Sequence, residues 1–205
     1  MSMVIENMIK NFVINNSMNL VSGTNKYNEE QLEEIKYGLE GIYLTLSKVV
    51  VILSISALLG LFKEAILFLI LFNILRAFAF GLHASKSLWC WISSSISFLL
   101  IPYLCVNVEF PLLFHIVVSI ITFISFVLYA PADTIKRPLI NPQKRKIYKV
   151  LAIILSSIYI TLIFIIKNIL FKNMLTFALL LETILILPIT YKIFNLSYNN
   201  YKNYK

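Results

Sequence analysis

Apolar residues run in long blocks along this chain, and the polar ones gather in short gaps between them. The blocks fall at about 43–62, 65–82, 89–106, 110–131, 150–166 and 174–191. Each is close to the roughly 17–25 residues that a helix needs to cross a hydrocarbon core. Six spans are predicted. Their many β-branched and aromatic residues do not signal strands, because an open sheet edge cannot face lipid. The first two blocks are separated only by Lys63 and Glu64, so a tight turn and a helical hairpin sunk in the membrane both fit there.

Ahead of the spans, Ile5, Met8, Ile9, Phe12 and Val13 recur at helical spacing, the pattern of an amphipathic interfacial helix. No compact apolar core with a small-residue cleavage site marks a secretory signal. A polar stretch from Asn15 to Asn28 follows. Asn28 with Gln31 three residues later reads as a helix start, and Leu32, Ile35, Leu39 and Ile42 keep one apolar face. This second helix is expected to run into the first span. The expected organisation is a single all-α integral-membrane domain over 1–205. It comprises an N-terminal interfacial region at 1–40, a bundle at 43–191 containing a basic loop at 132–149, and a tail at 192–205.

Composition sharpens this picture. With 59% hydrophobic and 14% charged residues, the chain is too apolar for a water-soluble enzyme, where about 45–50% apolar is usual. The net charge of +8 divides as −3 over residues 1–40 (three Lys, six Glu) and +11 over residues 41–205 (fifteen Lys or Arg, four acids). Six cations and one acid fall in ADTIKRPLINPQKRKIYK at 132–149. The positive-inside rule accounts for such a run without a nucleic-acid partner and places it in the cytoplasm. Counting outward, the N-terminus, the 83–88 link and the C-terminal tail also lie inside. The 63–64, 107–109 and 167–173 links lie outside. Cys90 and Cys105 sit at opposite ends of one apolar run, which gives no disulfide framework.

Few residues could carry chemistry. His83 lies seven residues before Cys90 in RAFAFGLHASKSLWC, at the inner ends of adjacent spans. A thiol becomes a useful nucleophile near neutral pH when a base takes its proton, and imidazole suits that role. On a continuous helix seven residues is a rise of about 10 Å. The pair can meet only if the chain folds back, for which Gly81 and the polar Ala84-Ser85-Lys86-Ser87 run supply a place. An inert Cys90 beginning a span, with an interfacial His83, is the plain alternative.

Arg76 stands inside an apolar block, where a charge is costly. It could hold a substrate carboxylate, support a thiolate or snorkel to headgroups. Glu182 in the last span is a further intramembrane charge, equally readable as a hydrogen-bonded structural group. Cys105 and His115 lie near the outer face and are expected to pack or meet headgroups. A zinc site wants three or four ligands, and too few converge here, so neither a metal nor a cofactor is expected.

The order Arg76, Gly81, His83, Ala84, Cys90, followed by YAPADTIKRPL at 129–139, resembles the accessory gene regulator protein B (AgrB) family of bacterial quorum sensing. The likeness covers nearly the whole chain. Its most specific parts are G-x-H-A with a cysteine seven residues after the histidine, and A-P-A-D-T-x-x-x-P before a basic run. The resemblance implies a cysteine endopeptidase of the bacterial plasma membrane that processes an AgrD-like propeptide. Cys90 would be the nucleophile and His83 its base. Cleavage would release the propeptide's C-terminal tail and leave a thioester, which an internal Cys or Ser closes into a thiolactone or lactone.

Supporting roles are expected for Arg76 and Gly81. Ser85 and Lys86 could add a hydrogen bond or lower the thiol pKa. Asp133 could orient His83 or simply end a helix or turn. Lys136, Arg137, Lys144, Arg145 and Lys146 could meet an acidic propeptide tail. Membrane lipid is the other partner, and the lipid-facing surfaces leave room for a homodimer. A small peptide or ion transporter, which predicts a dispensable Cys90, is the main rival. A noncatalytic adaptor would make His83 dispensable as well.

Overall fold

The computed structural model describes residues 11–12, 14–19, 28–82, 87–134 and 138–204. By contact density the chain divides into two compact units, Met1–Ser54 and Ile55–Lys205.

In the first unit, residues 11–12 and 14–19 are helical, with Phe12 exposed and Ile14 buried. The other residues of the amphipathic pattern, Ile5, Met8, Ile9 and Val13, lie outside the described residues. The long helix α1, Glu29–Leu58, starts where expected. Asn28 N–H donates to Gln31 Oε1 at 3.1 Å, and Gln31 N–H donates back to Asn28 Oδ1 at 2.8 Å. This reciprocal box satisfies two of the amides that a helix start leaves unpaired.

The second unit holds α2 (Phe62–Ala79), α3 (Ser87–Asn107), α4 (Leu112–Tyr129), α5 (Pro142–Ile165), α6 (Ile169–Ile186), the short α7 (Pro188–Ile193) and a 3₁₀ turn at Asn200–Tyr204. Among the described residues there is no sheet, and an isolated β-bridge joins Phe80 to Ala132. Each predicted apolar block corresponds to one long helix.

The first junction falls earlier than the charges at 63–64 indicate. Gly60 (φ 71°) closes α1, with Leu61 N–H on Ser56 O at 2.8 Å and Gly60 N–H on Ala57 O at 3.1 Å. That is a Schellman ending, for which glycine is preferred because it adopts positive φ without strain. Lys63 and Glu64 therefore belong to the first turn of α2.

Helix α6 is the axis of this unit. It packs against α2, α3, α4 and α5 and buries Met174, Leu175, Ala178, Leu179 and Ile186 completely. The outer helices leave Ile120, Ile124, Leu128, Ile154 and Ile158 exposed. A surface of this kind is stable against lipid and costly against water. Among the described residues, α1 from Gln31, α4, α5 and α6 are long and apolar enough to cross a membrane. Helix α2 has 18 residues but carries three charges, Lys63, Glu64 and Arg76. The molecule is a multi-pass, all-helical membrane bundle.

Candidate active site

Helix α2 stops at Ala79 because the next two residues leave helical space, Phe80 at φ 64° and Gly81 at φ 93°. Gly81 is required there twice over. Its φ is one that L side chains avoid, and a Cβ would run into the Arg76 guanidinium and stand 2.9 Å from Leu185 O. Phe80 carries strain of about 1–3 kcal/mol for such a conformation. Its ring is buried and meets Tyr148 edge-on at 5.0 Å.

Every peptide group of the Gly81–Leu82 segment has a partner. Gly81 N–H donates to Ala132 O at 2.7 Å, and Leu82 N–H donates to Leu185 O at 2.8 Å. Arg76 Nη2 donates to Gly81 O at 2.9 Å and also to Leu82 O. Ala132 N–H returns to Ala79 O at 2.9 Å. Leu185 O is free to accept because it lies in the last turn of α6, where carbonyls lose their helical donors. Pro188 likewise has no amide to offer Ile184 O, which takes the Thr190 hydroxyl at 2.5 Å instead.

The other half of the Arg76 guanidinium faces Glu182 on α6, with Nη1 3.5 Å from both carboxylate oxygens. Glu182 is fully buried, and the Arg76 side chain is 13% exposed. Removing either partner would leave the other buried without its counterpart, which is costly. The carboxylate that Arg76 meets is therefore one from its own chain.

The α4–α5 link comes to this end of the bundle. After a cis Ala130–Pro131 bond, Ala132 O accepts from Gly81 N–H and also from the Tyr191 hydroxyl at 3.2 Å. Asp133 is fully buried. Its Oδ1 accepts from Asn200 N–H at 3.0 Å, and its Oδ2 accepts from Tyr201 N–H at 2.9 Å and Leu139 N–H at 3.3 Å. The C-terminal tail thus folds back onto the 130–139 link. Tyr198 stacks edge-on against Tyr191 at 5.1 Å and donates to Tyr129 O at 3.3 Å. Burial pushes its hydroxyl up to about 12, against a smaller opposing pull from Arg145, so it stays a neutral donor.

The basic run is not all loop. Asn141 Oδ1 accepts from Gln143 N–H at 2.9 Å and Lys144 N–H at 3.2 Å, and Pro142 takes the first helical position. Helix α5 therefore begins at Pro142, inside the segment expected to be a loop to 149. Lys144, Arg145 and Lys146 occupy its first turns, where the helix dipole disfavours cations by roughly 0.3–1 kcal/mol each. Lys144 and Lys146 are exposed. Arg145 lies 3.3 Å over the Tyr201 ring and reaches Asn199 Oδ1 at 3.3 Å.

Of the residues predicted to act, Arg76, Gly81 and Asp133 come together at this end, with Arg145 beside the tail. His83, Ser85, Lys86, Lys136 and Arg137 lie outside the described residues. Cys90 is the fourth residue of α3. Helix α2 ends at Ala79 and α3 begins at Ser87, and the 83–86 link in which the chain was expected to fold back lies outside the described residues. Sequence reasoning left unassigned the Arg76 partner Glu182, the acceptor Leu185 and the tail residues Asn200 and Tyr201. An acid and an arginine in separate apolar helices was the available signal for the first. The others meet Leu82 and Asp133 chiefly through backbone groups, which any residue but proline could supply. Among the described residues no cluster of three or more His, Cys, Asp or Glu could hold a metal.

The fold and this end of it define a class: a multi-pass helical membrane protein with a buried arginine–glutamate pair locking the backbone at the end of one span. Residues 6–186 match the family model described as Accessory gene regulator B. An AgrB-like protein of Clostridium acetobutylicum is 34% identical over 175 residues, 85% of this chain and 84% of the relative. An AgrB-like protein of Listeria monocytogenes serotype 4a is 34% identical over 182 residues, 88% of each. Accessory gene regulator protein B of Staphylococcus aureus strain Newman is 31% identical over 166 residues, 80% of this chain and 86% of the relative. The chain belongs to the AgrB family. No solved structure matches it.

Proposed function

We propose that this protein is a cysteine endopeptidase of the bacterial plasma membrane that processes an AgrD-like quorum-sensing propeptide on the cytoplasmic side. The observation that carries the reading is the backbone lock at Gly81–Leu82. A segment with both amides and both carbonyls engaged ends one residue before His83, and the next helix begins three residues before Cys90. A site held to sub-ångström tolerance is what proximity catalysis needs. The first turn of a helix also favours a thiolate, because the unpaired amides and the dipole stabilise negative charge.

In the proposed reaction His83 takes the Cys90 proton, and the thiolate attacks the carbonyl at the propeptide's cleavage point. Collapse of the tetrahedral intermediate breaks the C–N bond, and His83 returns the proton to the departing amine of the C-terminal fragment. The N-terminal part remains as a thioester on Cys90. A Cys or Ser within it then gives its proton to His83 and attacks that carbonyl, closing the thiolactone or lactone and releasing Cys90 as the thiolate. Arg76 acts here as a positioning residue, because its donors are occupied by Gly81, Leu82 and Glu182. The exposed Lys144 and Lys146, with Lys136 and Arg137, attract an acidic propeptide tail, and the same charges orient the spans.

The test is mass spectrometry of a cognate precursor in liposomes with the unaltered protein and its Cys90→Ala and Cys105→Ala forms. The expected result is loss of C-terminal fragment and cyclised product with Cys90→Ala alone. Cleavage by a folded Cys90→Ala protein would overturn the mechanism. Charge reversal at Lys144 and Lys146 is expected to raise KM; if processing per inserted molecule is unchanged, those lysines have no substrate role.

A further inference from the structure

The tail after α7 has a defined path set by two asparagines. Asn195 (φ 51°) closes α7 in a Schellman ending, with Leu196 N–H on Tyr191 O at 2.9 Å and Asn195 N–H on Lys192 O at 3.2 Å. Asn199 (φ 59°) makes the second reversal, ahead of the 3₁₀ turn. Asparagine is among the few residues other than glycine that take such angles readily. Between and after them, Tyr198, Asn199, Asn200 and Tyr201 each bond back to the 129–145 region. Asn200 grips Asp133 from both sides, giving its N–H to the carboxylate and its Nδ2 to Asp133 O at 3.4 Å and Ser197 O at 2.8 Å.

Three backbone N–H groups from two segments converge on the Asp133 carboxylate. Such bonds to a charged acceptor are roughly twice as strong as neutral ones. What Asp133 anchors is the link that pairs with the end of α2. Ala132, its immediate neighbour, accepts from Gly81 N–H and gives its own N–H to Ala79 O. The order of contacts is therefore tail, Asp133, Ala132 and Gly81, and His83 follows Gly81 by two positions in the sequence.

We infer that the C-terminal tail is a working part of the processing site, a strap that Asp133 fastens across the 130–139 link to hold the Gly81–Leu82 backbone, and through it His83, in place. This assigns Asp133 as a positioning residue acting on His83 from a distance. The assignment rests on the proposed peptidase reading.

The experiment uses full-length protein in liposomes carrying Cys105→Ser, so that Cys90 is the single thiol. Asp133→Asn replaces an acceptor oxygen by an NH2 group that faces a backbone N–H, and Tyr198→Phe removes one strap bond with little change of shape. Lys202→Ala, at an exposed position, is the control. Two quantities are read per folded molecule: kcat and KM for precursor cleavage, and the pH profile of Cys90 alkylation by iodoacetamide.

The expected result for Asp133→Asn is a fall in kcat of roughly ten- to a hundredfold with KM within about threefold, the size of effect of a small misplacement. The alkylation rate below neutral pH should fall with it, as the thiol loses its imidazole partner. Tyr198→Phe should move both in the same direction by less, and Lys202→Ala should move neither. Unchanged kcat and an unchanged alkylation profile in folded Asp133→Asn protein would overturn the inference. So would a raised KM at constant kcat, which would make the tail a substrate contact. Cleavage by the Cys90→Ala protein would instead sink the peptidase reading itself, so the two failures are distinguishable.

Discussion

The two ends of the Ile55–Lys205 bundle solve the same problem by different means. At the end carrying the 107–112 and 165–169 links, helices stop and restart within a few residues, and polar side chains close the gaps. Asn168 caps α6 through Phe171 N–H at 2.9 Å. Asn173 Nδ2 bridges Cys105 O at 3.2 Å and Val108 O at 3.0 Å. His115 Nδ1 meets Thr176 Oγ1 at 2.8 Å. The threonine's one proton goes to Lys172 O at 2.9 Å, so Nδ1 of His115 is the donor. At the other end, non-glycine residues take left-handed angles, extended segments pair, and an ion pair and a carboxylate are buried. Four residues with positive φ, Phe80, Gly81, Asn195 and Asn199, belong to that end. Strain and buried charge persist only where surrounding contacts over-determine them, and they concentrate where a site must be held. His115 belongs to the first end, while the locked Gly81–Leu82 backbone belongs to the second.

Mutations at the two ends should separate cleanly. The largest effect belongs to Arg76→Ala, which strands the Glu182 charge and two carbonyls. Loss of about 3–5 kcal/mol is expected for breaking a buried pair, with precursor cleavage per folded molecule down by at least roughly a hundredfold. Arg76→Lys should restore only part, because one ammonium cannot span Glu182, Gly81 O and Leu82 O together. Gly81→Ala comes next, since its Cβ meets Arg76 and Leu185 O at an unfavourable φ. A cost of about 1–3 kcal/mol in thermal or denaturant unfolding is expected, along with a cleavage defect that does not follow the folded fraction. Glu182→Gln keeps the shape and an acceptor, and should slow cleavage less than Arg76→Ala does.

At the opposite end, His115→Phe should cost about 1–3 kcal/mol through the hydrogen bond lost to Thr176 and leave cleavage per folded molecule unchanged. A cleavage defect there as large as that of Gly81→Ala would erase the contrast between the ends. Cys105→Ala should be mildest in function, because Asn173 holds the Cys105 carbonyl and not its thiol.

Much of the bundle was legible because span length and local capping are properties of adjacent residues. The six blocks and the Asn28–Gln31 helix start needed no tertiary knowledge. The α1–α2 junction slipped by a few residues because the charges at 63–64 are more conspicuous than Gly60, although Gly60 is what ends the helix. The start of α5 at Pro142 was equally present in Asn141-Pro142, a cap followed by a favoured first residue, but six cations in eighteen positions read more strongly as loop. What could not be read was pairing at a distance. Glu182 meets Arg76 across 106 positions, and Asn200 meets Asp133 across 67. In the latter case the donor is a backbone amide that any residue but proline would supply.

The central claim is a thioester on Cys90, and trapping it is the most direct test. A precursor whose ring-closing Cys or Ser is replaced by alanine cannot resolve the intermediate by cyclisation. Incubated with the liposome-embedded protein, it should release its C-terminal fragment once per enzyme molecule. The protein should gain the mass of the N-terminal part on the peptide containing Cys90, and hydroxylamine should remove it. Release of fragment with no adduct, or with an adduct on Cys105, would contradict the account.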